Sequence, residues 1–567
     1  MSASLLGMGC AALLAMPGAA QTGASTGASA AAASVPVPGA AQHPNIVVIL
    51  VDDMGFSDIG PYGSEIPTPN LDKLAAGGLR FTQFYNTARC SPSRASLMTG
   101  LYPHQAGVGH LEETVVEGAP GMQGRLADRA VTIAEVLHQK GYFTGIAGKW
   151  HLGITHDVGP WQRGFDRSVT PLMGGLYFPD QTTKNQKMVF IDGREVPAGS
   201  PEVGQGYWYG SDLWVDWEKK FIDQANGEKK PFFLYLPFTA PHFPLMAPQE
   251  DVAKFKGKYL AGWEKLRRDR FERQKKMGLI PQSEVLPPAL PATDDWAKLT
   301  PAQRERFDSM MAVYAAAISR VDKAIGDLVA KLKATGQLDN TLILFMSDNG
   351  GNAESGPNGK SGGEVLGNAH SNVWVGENWA TLQNTPFQWF KRFTQEGGIS
   401  TPLIAYWPKG IDQKLDGGFV RAPGHLIDVM PTLVEVAGAS YPKSFKGHDI
   451  IPMQGRSFAP AFHGQALTRT APLFWEHQGN RAIRDGKWKL MSPFGKPWQL
   501  YDIDADRAEM HDLAAKNPAI VARLSARWDA WAKASYVNSW AGEDPADLGG
   551  GDGPAARPRG APAKAAE

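Results

Sequence analysis

One short segment, NIVVILVDDMG at residues 45 to 55, constrains the fold more than any other. Ile46 to Val51 are apolar without interruption and rich in β-branched side chains, which predicts a strand buried on both faces. Such strands belong to parallel or mixed sheets with helices packed above and below. Asp52 and Asp53 then stand at the carboxyl end of the strand. A second run, NTLILFMSDNGG, repeats the design: Leu342 to Met346 predict a strand, with Asp348 and Asn349 at its end and Gly350 and Gly351 after them. Ligands of open parallel sheets bind beyond the carboxyl ends of the strands, so both acidic ends are expected to face one site.

Three further runs end in nitrogen donors. YFTGIAGKWHLG delivers Lys149 and His151, PFFLYLPFTAPHFPL delivers His242, and FKRFTQEGGISTPLIAYWP places Lys391 shortly before a strand that starts near Ile399. The expected site is therefore mixed in sign. Between the strands, the stripe Phe307, Met310, Tyr314, Ile318, Val321, Ile325, Leu328 and Leu332 predicts a helix over 301–334 whose apolar face is core. Taken singly, the pairs DD and DN read as ordinary turn residues. Taken together they offer oxygen ligands without a nearby His or Cys partner, a set suited to Ca²⁺ or Mg²⁺ rather than zinc. Neither an HExxH motif nor a paired CxxC motif occurs.

Charge narrows the function classes. The 567 residues carry 57 Lys plus Arg and 57 Asp plus Glu, so no global field draws the chain to nucleic acid or to a membrane surface. Residues 4 to 20, SLLGMGCAALLAMPGAA, resemble a secretory signal with cleavage near Ala20, although its start lacks Lys or Arg. Residues 21–42 read as a low-complexity linker. No other stretch reaches about 18 uninterrupted apolar residues, so no stable membrane insertion is expected. The implied location is periplasmic or secreted. The chain has two cysteines, Cys10 inside the signal and Cys90. Without Cys10 an internal disulfide cannot form, and a lone cysteine by itself reads as a small buried hydrophobe.

The segment around Cys90 changes that reading. CSPSRASLMTG resembles the type I sulfatase signature C-x-P-S-R followed by T-G, and GKWHLG, APHFP, SDNGG and EGGISTP resemble further motifs of the same family in order. The resemblance runs from about residue 44 to residue 440, and is to arylsulfatases of the bacterial type within the alkaline phosphatase superfamily. It implies that a maturation enzyme, reading Pro92 and Arg94, oxidises Cys90 to formylglycine. It implies Asp52, Asp53, Asp348, Asn349 and modified Cys90 as ligands of one Ca²⁺. Arg94, Lys149 and Lys391 then resemble the anchors of the sulfate group and the hydrated aldehyde. His151 resembles the residue that takes the second proton of the hydrate, His242 the one that protonates the leaving oxygen, and Asp348 the acceptor of the nucleophile's proton. The implied reaction is hydrolysis of a small-molecule sulfate monoester, aryl sulfates foremost.

Two alternatives stay open at this point. Calcium and the three basic residues against three carboxylates leave roughly +2 by formal counting, which also admits a phosphonate monoester or phosphodiester hydrolase. The other is an unmatured calcium-containing binding protein. His104, in LYPHQAGVG, reads as a structural histidine. The aromatic runs GQGYWYGSDLWVDW and VWVGENW read either as pocket lining or as packing.

The expected architecture is α/β: a large, mostly parallel sheet with helices on both faces, plus a small carboxyl-terminal antiparallel sheet with a helix. The expected divisions are a signal peptide at 1–20, a linker at 21–42, a catalytic domain at 43–465, a small α+β domain at 466–540 and a disordered tail at 541–567. In the small domain, a helix from Asn517 is expected to pack through Ile520, Leu524 and Trp528.

Overall fold

Every residue of Asn45–Val51 is buried, and alternate side chains feed two different cores. Val47, Ile49 and Val51 join one apolar cluster, while Ile46, Val48 and Leu50 join the other. This computed structural model describes residues 44–153, 155–171, 174–181, 188–290 and 294–540. The expected signal peptide, linker and tail lie outside the described residues.

The elements that position the site are, in chain order, β1 (Asn45–Val51), β2 (Leu79–Tyr85), α1 (Cys90–Thr99), α2 (Ile133–Gln139), β3 (Phe143–Ala147), α3 (Gly210–Gly227), β4 (Phe232–Pro237), α4 (Pro301–Ala334), β5 (Thr341–Ser347), β6 (Ser400–Tyr406) and α5 (Val429–Val436). Among the described residues the main sheet has 11 strands, and its centre runs β2, β6, β5, β1, β4, β3. β5, β1, β4 and β3 are mutually parallel. β6 is antiparallel to both of its neighbours. Side chains of α3 and α4 fill one face, and side chains of α1, α2 and α5 fill the other. The expected α/β class is therefore present, with an antiparallel strand inside an otherwise parallel centre.

Since both faces of β1 are apolar, hydrophobicity alone does not set its register. The polar ends do. Asn45 Oδ1 accepts a hydrogen bond from the Phe232 amide at 3.2 Å. At the other end Asp52 N donates to Ala240 O at 3.3 Å and Asp348 N donates to Val51 O at 3.1 Å. Val51 is thereby aligned with Ser347, and the residues after each strand emerge side by side.

Helix α4 covers the expected 301–334. Pro301 occupies its first turn, and Thr300 and Gln303 form a reciprocal capping box, which satisfies amides that the helix cannot. All eight residues of its predicted stripe are buried. Tyr314 does more than pack: its hydroxyl donates to Asp58 Oδ2 at 2.7 Å, beneath the loop that follows β1.

Beyond the main sheet, Leu473–His477, Asn480–Asp485, Trp488–Ser492 and Gln499–Asp502 form a four-stranded antiparallel sheet. Helix α6 (Pro518–Ala534) packs on it through Leu524 and Trp528, with Ile520 partly buried beside them. The small sheet shares a core with the large one, in which Tyr85 and Ile399 meet Trp475, Ala482 and Met491. A buried ionic network ties the two together: Lys489 Nζ lies 3.0 Å from Glu396 and 2.7 Å from Glu509, and Arg507 Nε donates to Glu396 at 3.1 Å. None of the helices described is long and apolar enough to cross a membrane.

Candidate active site

The register of β1 against β5 gathers the acidic residues. Asp52 and Asp53 leave the end of β1, Asp348 and Asn349 leave the end of β5, and all four are buried. Asp53 adopts a left-handed backbone, φ 66°, so the chain turns at once and its amide meets Asp348 Oδ1 at 3.3 Å. Ser347 Oγ receives the Met54 amide at 3.2 Å and donates to Asn349 O at 2.9 Å, bracing both turns.

Cys90 is the first residue of α1, with Arg89 as its extended N-cap. Its Sγ lies 3.4 Å from Asp52 Oδ1 and 3.9 Å from Asp53 Oδ1. Ser93 fixes the entry by accepting from the Thr87 amide at 3.0 Å, and Gly100, at φ 69°, ends the helix. Burial, reinforced by the Asp52 carboxylate, pushes the Cys90 thiol well up.

Four basic side chains converge on the same carboxylates. Arg94, one turn into α1, donates to Asp348 Oδ2 through Nε at 3.2 Å and Nη2 at 2.9 Å, and to Lys149 O at 2.8 Å. Lys149 Nζ donates to Asp52 Oδ2 at 2.7 Å. Gly148 sets up this reach: at φ 132° it lies so close to β4 that a Cβ would stand 2.1 Å from Pro237 O. Lys391 Nζ lies 2.9 Å from Asp53 Oδ1 and 3.4 Å from His242 Nε2. His242 Nε2 is 3.5 Å from Asp53 Oδ2, and its Nδ1 faces Phe243 O at 2.6 Å. His151 follows β3 at φ 61°, with Nε2 3.9 Å from Glu112.

These contacts shift the titrations in opposite directions. Burial raises Asp52, but Lys149, His242, Arg94 and Lys391 together carry it well below the usual carboxylate range. Asp348 goes the other way, pushed to about 7 by burial and by Asp52. Burial alone would lower His242, yet Asp53 and Asp52 raise it.

The residues fit a hard cation. Asp52, Asp53, Cys90 and His242 offer ligand atoms within 4.8 Å of one another, so three of the five expected ligands stand together with a histidine not expected among them. Asn349 adds a specific sign: its Nδ2 donates to Asp53 at 2.7 Å, while its buried Oδ1 has no partner among the described residues. An orphaned amide oxygen among three buried carboxylates is the donor chemistry of a Ca²⁺ or Mg²⁺ site.

Sequence reasoning missed a second layer. Asn352 Nδ2 donates to Asp53 Oδ2 at 2.8 Å and to Glu354 Oε2 at 2.9 Å. Glu354 in turn pairs with Arg89, with Arg392 at 3.5 Å and with Lys391 at 3.4 Å. Both residues lie just past SDNGG, and that proximity was the available signal. Glu112, wholly buried behind His151 and pushed to about 8 by burial, carried no local signal. His104 pairs with Glu476 at 2.8 Å, away from the carboxylates. The aromatic runs divide: Trp214 and Trp379 are packing, Tyr207, Trp208 and Tyr209 line a surface cavity of about 820 Å³, and Trp374 stacks on Phe243, which stacks on His242.

The family model for sulfatases matches residues 44–439. The chain belongs to the sulfatase family. A second model, for the carboxyl-terminal part of N-sulphoglucosamine sulphohydrolase, matches residues 386–532. An uncharacterized sulfatase of Schizosaccharomyces pombe is 36% identical over 86% of this chain and 93% of its own length. The arylsulfatase of Klebsiella aerogenes is 35% identical over 79% of this chain and 99% of its own. Among solved structures, Ps i-CgsB in complex with k-i-k-neocarrahexaose superposes with a TM-score of 0.65 at 30% identity, covering 88% of this sulfatase and 95% of that chain. The sulfatase is thus a type I member of the alkaline phosphatase superfamily and a sulfuric ester hydrolase.

Proposed function

We propose that this sulfatase cleaves sulfate monoesters, aryl sulfates foremost, at a formylglycine made from Cys90 beside a Ca²⁺ ion. The observation that supports it is the 3.4 Å approach of Cys90 Sγ to Asp52 at the head of α1, inside a ring of carboxylates and cations. Once hydrated, the aldehyde supplies one hydroxyl to attack sulfur and a second whose deprotonation releases sulfate by breaking the carbon–oxygen bond. Asp52, Asp53, Asp348, Asn349 and the oxygen at position 90 would hold the Ca²⁺ ion, which would supply Lewis acidity there.

The remaining work falls to the side chains. Lys149 and Lys391 hold the non-bridging oxygens of the sulfate, and Arg94 steadies the hydrate and Asp348. Asp348 takes the proton of the attacking hydroxyl. His242 protonates the departing oxygen, and the Phe243 and Trp374 rings stacked beyond it favour an aromatic leaving group. His151 takes the second proton of the hydrate. Cys90 and all the rest of α1 are buried, so a maturation enzyme must meet CSPSR before the sheet closes over it. Residues 43–465 form the catalytic domain in this reading, with 466–540 as its smaller companion, and the apolar amino-terminal run supports export to the periplasm or beyond.

The test pairs two measurements on natively expressed protein. Mass analysis of the peptide carrying residue 90 is expected to find the aldehyde, and an unmodified thiol in active protein would overturn the scheme. Hydrolysis of an aryl sulfate is expected to exceed that of the matching aryl phosphonate; the reverse order would favour the phosphonate or phosphodiester reading.

A further inference from the structure

A second concentration of positive charge lies at the seam between the large and the small sheet. A cavity of about 250 Å³ is found there, and its lining includes Gln83, Arg421, Arg469, Arg484, Lys487 and Asp504. Gln83 belongs to β2 of the large sheet, and Arg421 directly follows the short strand Gly418–Val420 that pairs with β2. Arg484 belongs to the strand Asn480–Asp485 of the small sheet, and Lys487 to the turn before Trp488–Ser492. Each sheet thus contributes cations to the same cavity.

The partners of these cations decide what kind of ligand fits. Arg469 pairs with Asp428, and Lys487 Nζ lies 2.6 Å from Asp502. The two other guanidinium groups end on neutral oxygens, and neither forms an ion pair among the described residues. Arg484, 4% exposed, donates through Nε to Gly486 O at 3.1 Å and through Nη1 to the Tyr85 hydroxyl. Arg421 donates to Gly278 O at 2.8 Å and lies 5.2 Å from the centre of the Phe419 ring. Glu396, to which the Tyr85 hydroxyl donates at 2.9 Å, is already held by Lys489 and Arg507. Burial would raise its carboxyl, yet Lys489, Arg507 and Arg484 together lower it. Asp504, the one acidic side chain of the lining, is exposed. A buried guanidinium without a carboxylate is strongly unfavourable unless some other anion meets it. A cation in the cavity would be repelled, and an apolar ligand would leave the guanidinium donors unmet. An oxyanion accepts from the forks of several arginines at once. At about 30 Å³ for each water, the cavity has room for a free tetrahedral ion together with part of its hydration.

We propose that Arg421 and Arg484, supported by Arg469 and Lys487, form a binding site for a free tetrahedral oxyanion, sulfate or phosphate, in the seam between the two sheets. None of these residues belongs to the centre built around Cys90, so the site stands or falls apart from the proposed hydrolysis. An ion held there touches both sheets and adds to the cohesion that Lys489 and Trp475 already provide.

Sulfate also stabilises proteins by exclusion from their surface, so the experiment reads saturable binding rather than a thermal shift. Sodium sulfate and sodium phosphate are titrated calorimetrically, at constant ionic strength in sodium chloride, into the natively expressed full-length enzyme and into its Arg421→Ala and Asp504→Asn variants. Both positions are exposed, so both variants are expected to fold. Wild type is expected to show a saturable site whose Kd rises about tenfold or more in Arg421→Ala and falls about threefold in Asp504→Asn. The two salts identify which ion is preferred. Because the same ions also meet the centre, their inhibition of phenyl sulfate turnover is measured alongside, and its Ki is expected to stay within about twofold of wild type in both variants. A Kd unchanged in Arg421→Ala, or a Ki that moves in step with Kd, would overturn the proposal. Should a variant not fold, crystals of wild type grown with selenate are expected to show the anomalous scatterer between Arg421 and Arg484; its absence there at saturating selenate counts against the site. Failure of wild type to turn over phenyl sulfate would strike the sulfatase reading alone, and the calorimetric and selenate measurements would still test the seam.

Discussion

Asn349 gives an amide hydrogen to Asp53 at 2.7 Å, across 296 positions of sequence, and keeps its Oδ1 buried without a partner among the described residues. The bond orients the side chain, and the orphaned oxygen is free to ligate the proposed cation. Chelation of the matured enzyme is expected to abolish turnover and lower Tm, with Ca²⁺ restoring both. Asn349→Ala should weaken Ca²⁺ binding by about 10–100-fold, read by calorimetric titration. Unchanged Tm and activity in chelator would remove the metal from the scheme.

Cys90→Ala is expected to lower kcat by at least about 10⁴-fold while circular dichroism and Tm stay near wild type, because the side chain is small and buried. Cys90→Ser should be nearly as inactive toward repeated turnover, since a sulfated serine lacks the second hydroxyl. Sustained turnover by either variant contradicts a covalent aldehyde mechanism.

For His242, the informative comparison is between leaving groups. His242→Gln should lose about 10²–10⁴-fold in kcat/KM on an alkyl sulfate, whose oxygen needs a proton as it departs. On 4-nitrophenyl sulfate, whose phenolate leaves unaided, the loss should be far smaller. Parallel losses on both would reassign the ring to positioning.

Glu112 couples stability to pH. Burial raises its carboxyl from 4.5 to about 8, so between those values the folded protein keeps a proton that the unfolded chain has released. Stability therefore falls as pH rises through that window, by an amount on the order of a few kcal/mol. Glu112→Gln should flatten the slope, seen as a smaller drop in Tm from pH 5 to pH 8. An unchanged slope would mean that the carboxyl ionises in the folded state as it does in the unfolded one.

Lys489 stands between Glu396 and Glu509, all three buried. Lys489→Met leaves both carboxylates without their shared cation, and a loss of about 3–5 kcal/mol is expected in chemical denaturation. A loss under about 1 kcal/mol would place the cohesion of the two sheets in Trp475 and its apolar neighbours instead.

Much of this site was legible because its pieces are local. Asp52 and Asp53, Asp348 and Asn349 each follow an uninterrupted apolar run, and the strands match their expected bounds to within one residue. Helix α4 announced its apolar stripe, and the Thr300 to Gln303 cap emerged only from the structure. What stayed hidden depends on partners distant in sequence. Glu112 reads as one more loop carboxylate until its position beside His151 is known. The aromatic runs were ambiguous for a related reason: Trp374 and Trp379 sit in one short segment, yet one packs toward His242 and the other into the core.

The alignment of Val51 with Ser347 reaches beyond geometry. A nascent polypeptide that stopped before Thr341 would already contain Cys90, Lys149 and His242, but the central strand would have a bare edge where β5 belongs. Such a fragment would hold Cys90 without the carboxylate and amide that face it from the end of β5. On the proposed mechanism a chain cut there lacks Asp348, Asn349 and Lys391, and it is expected to be inert.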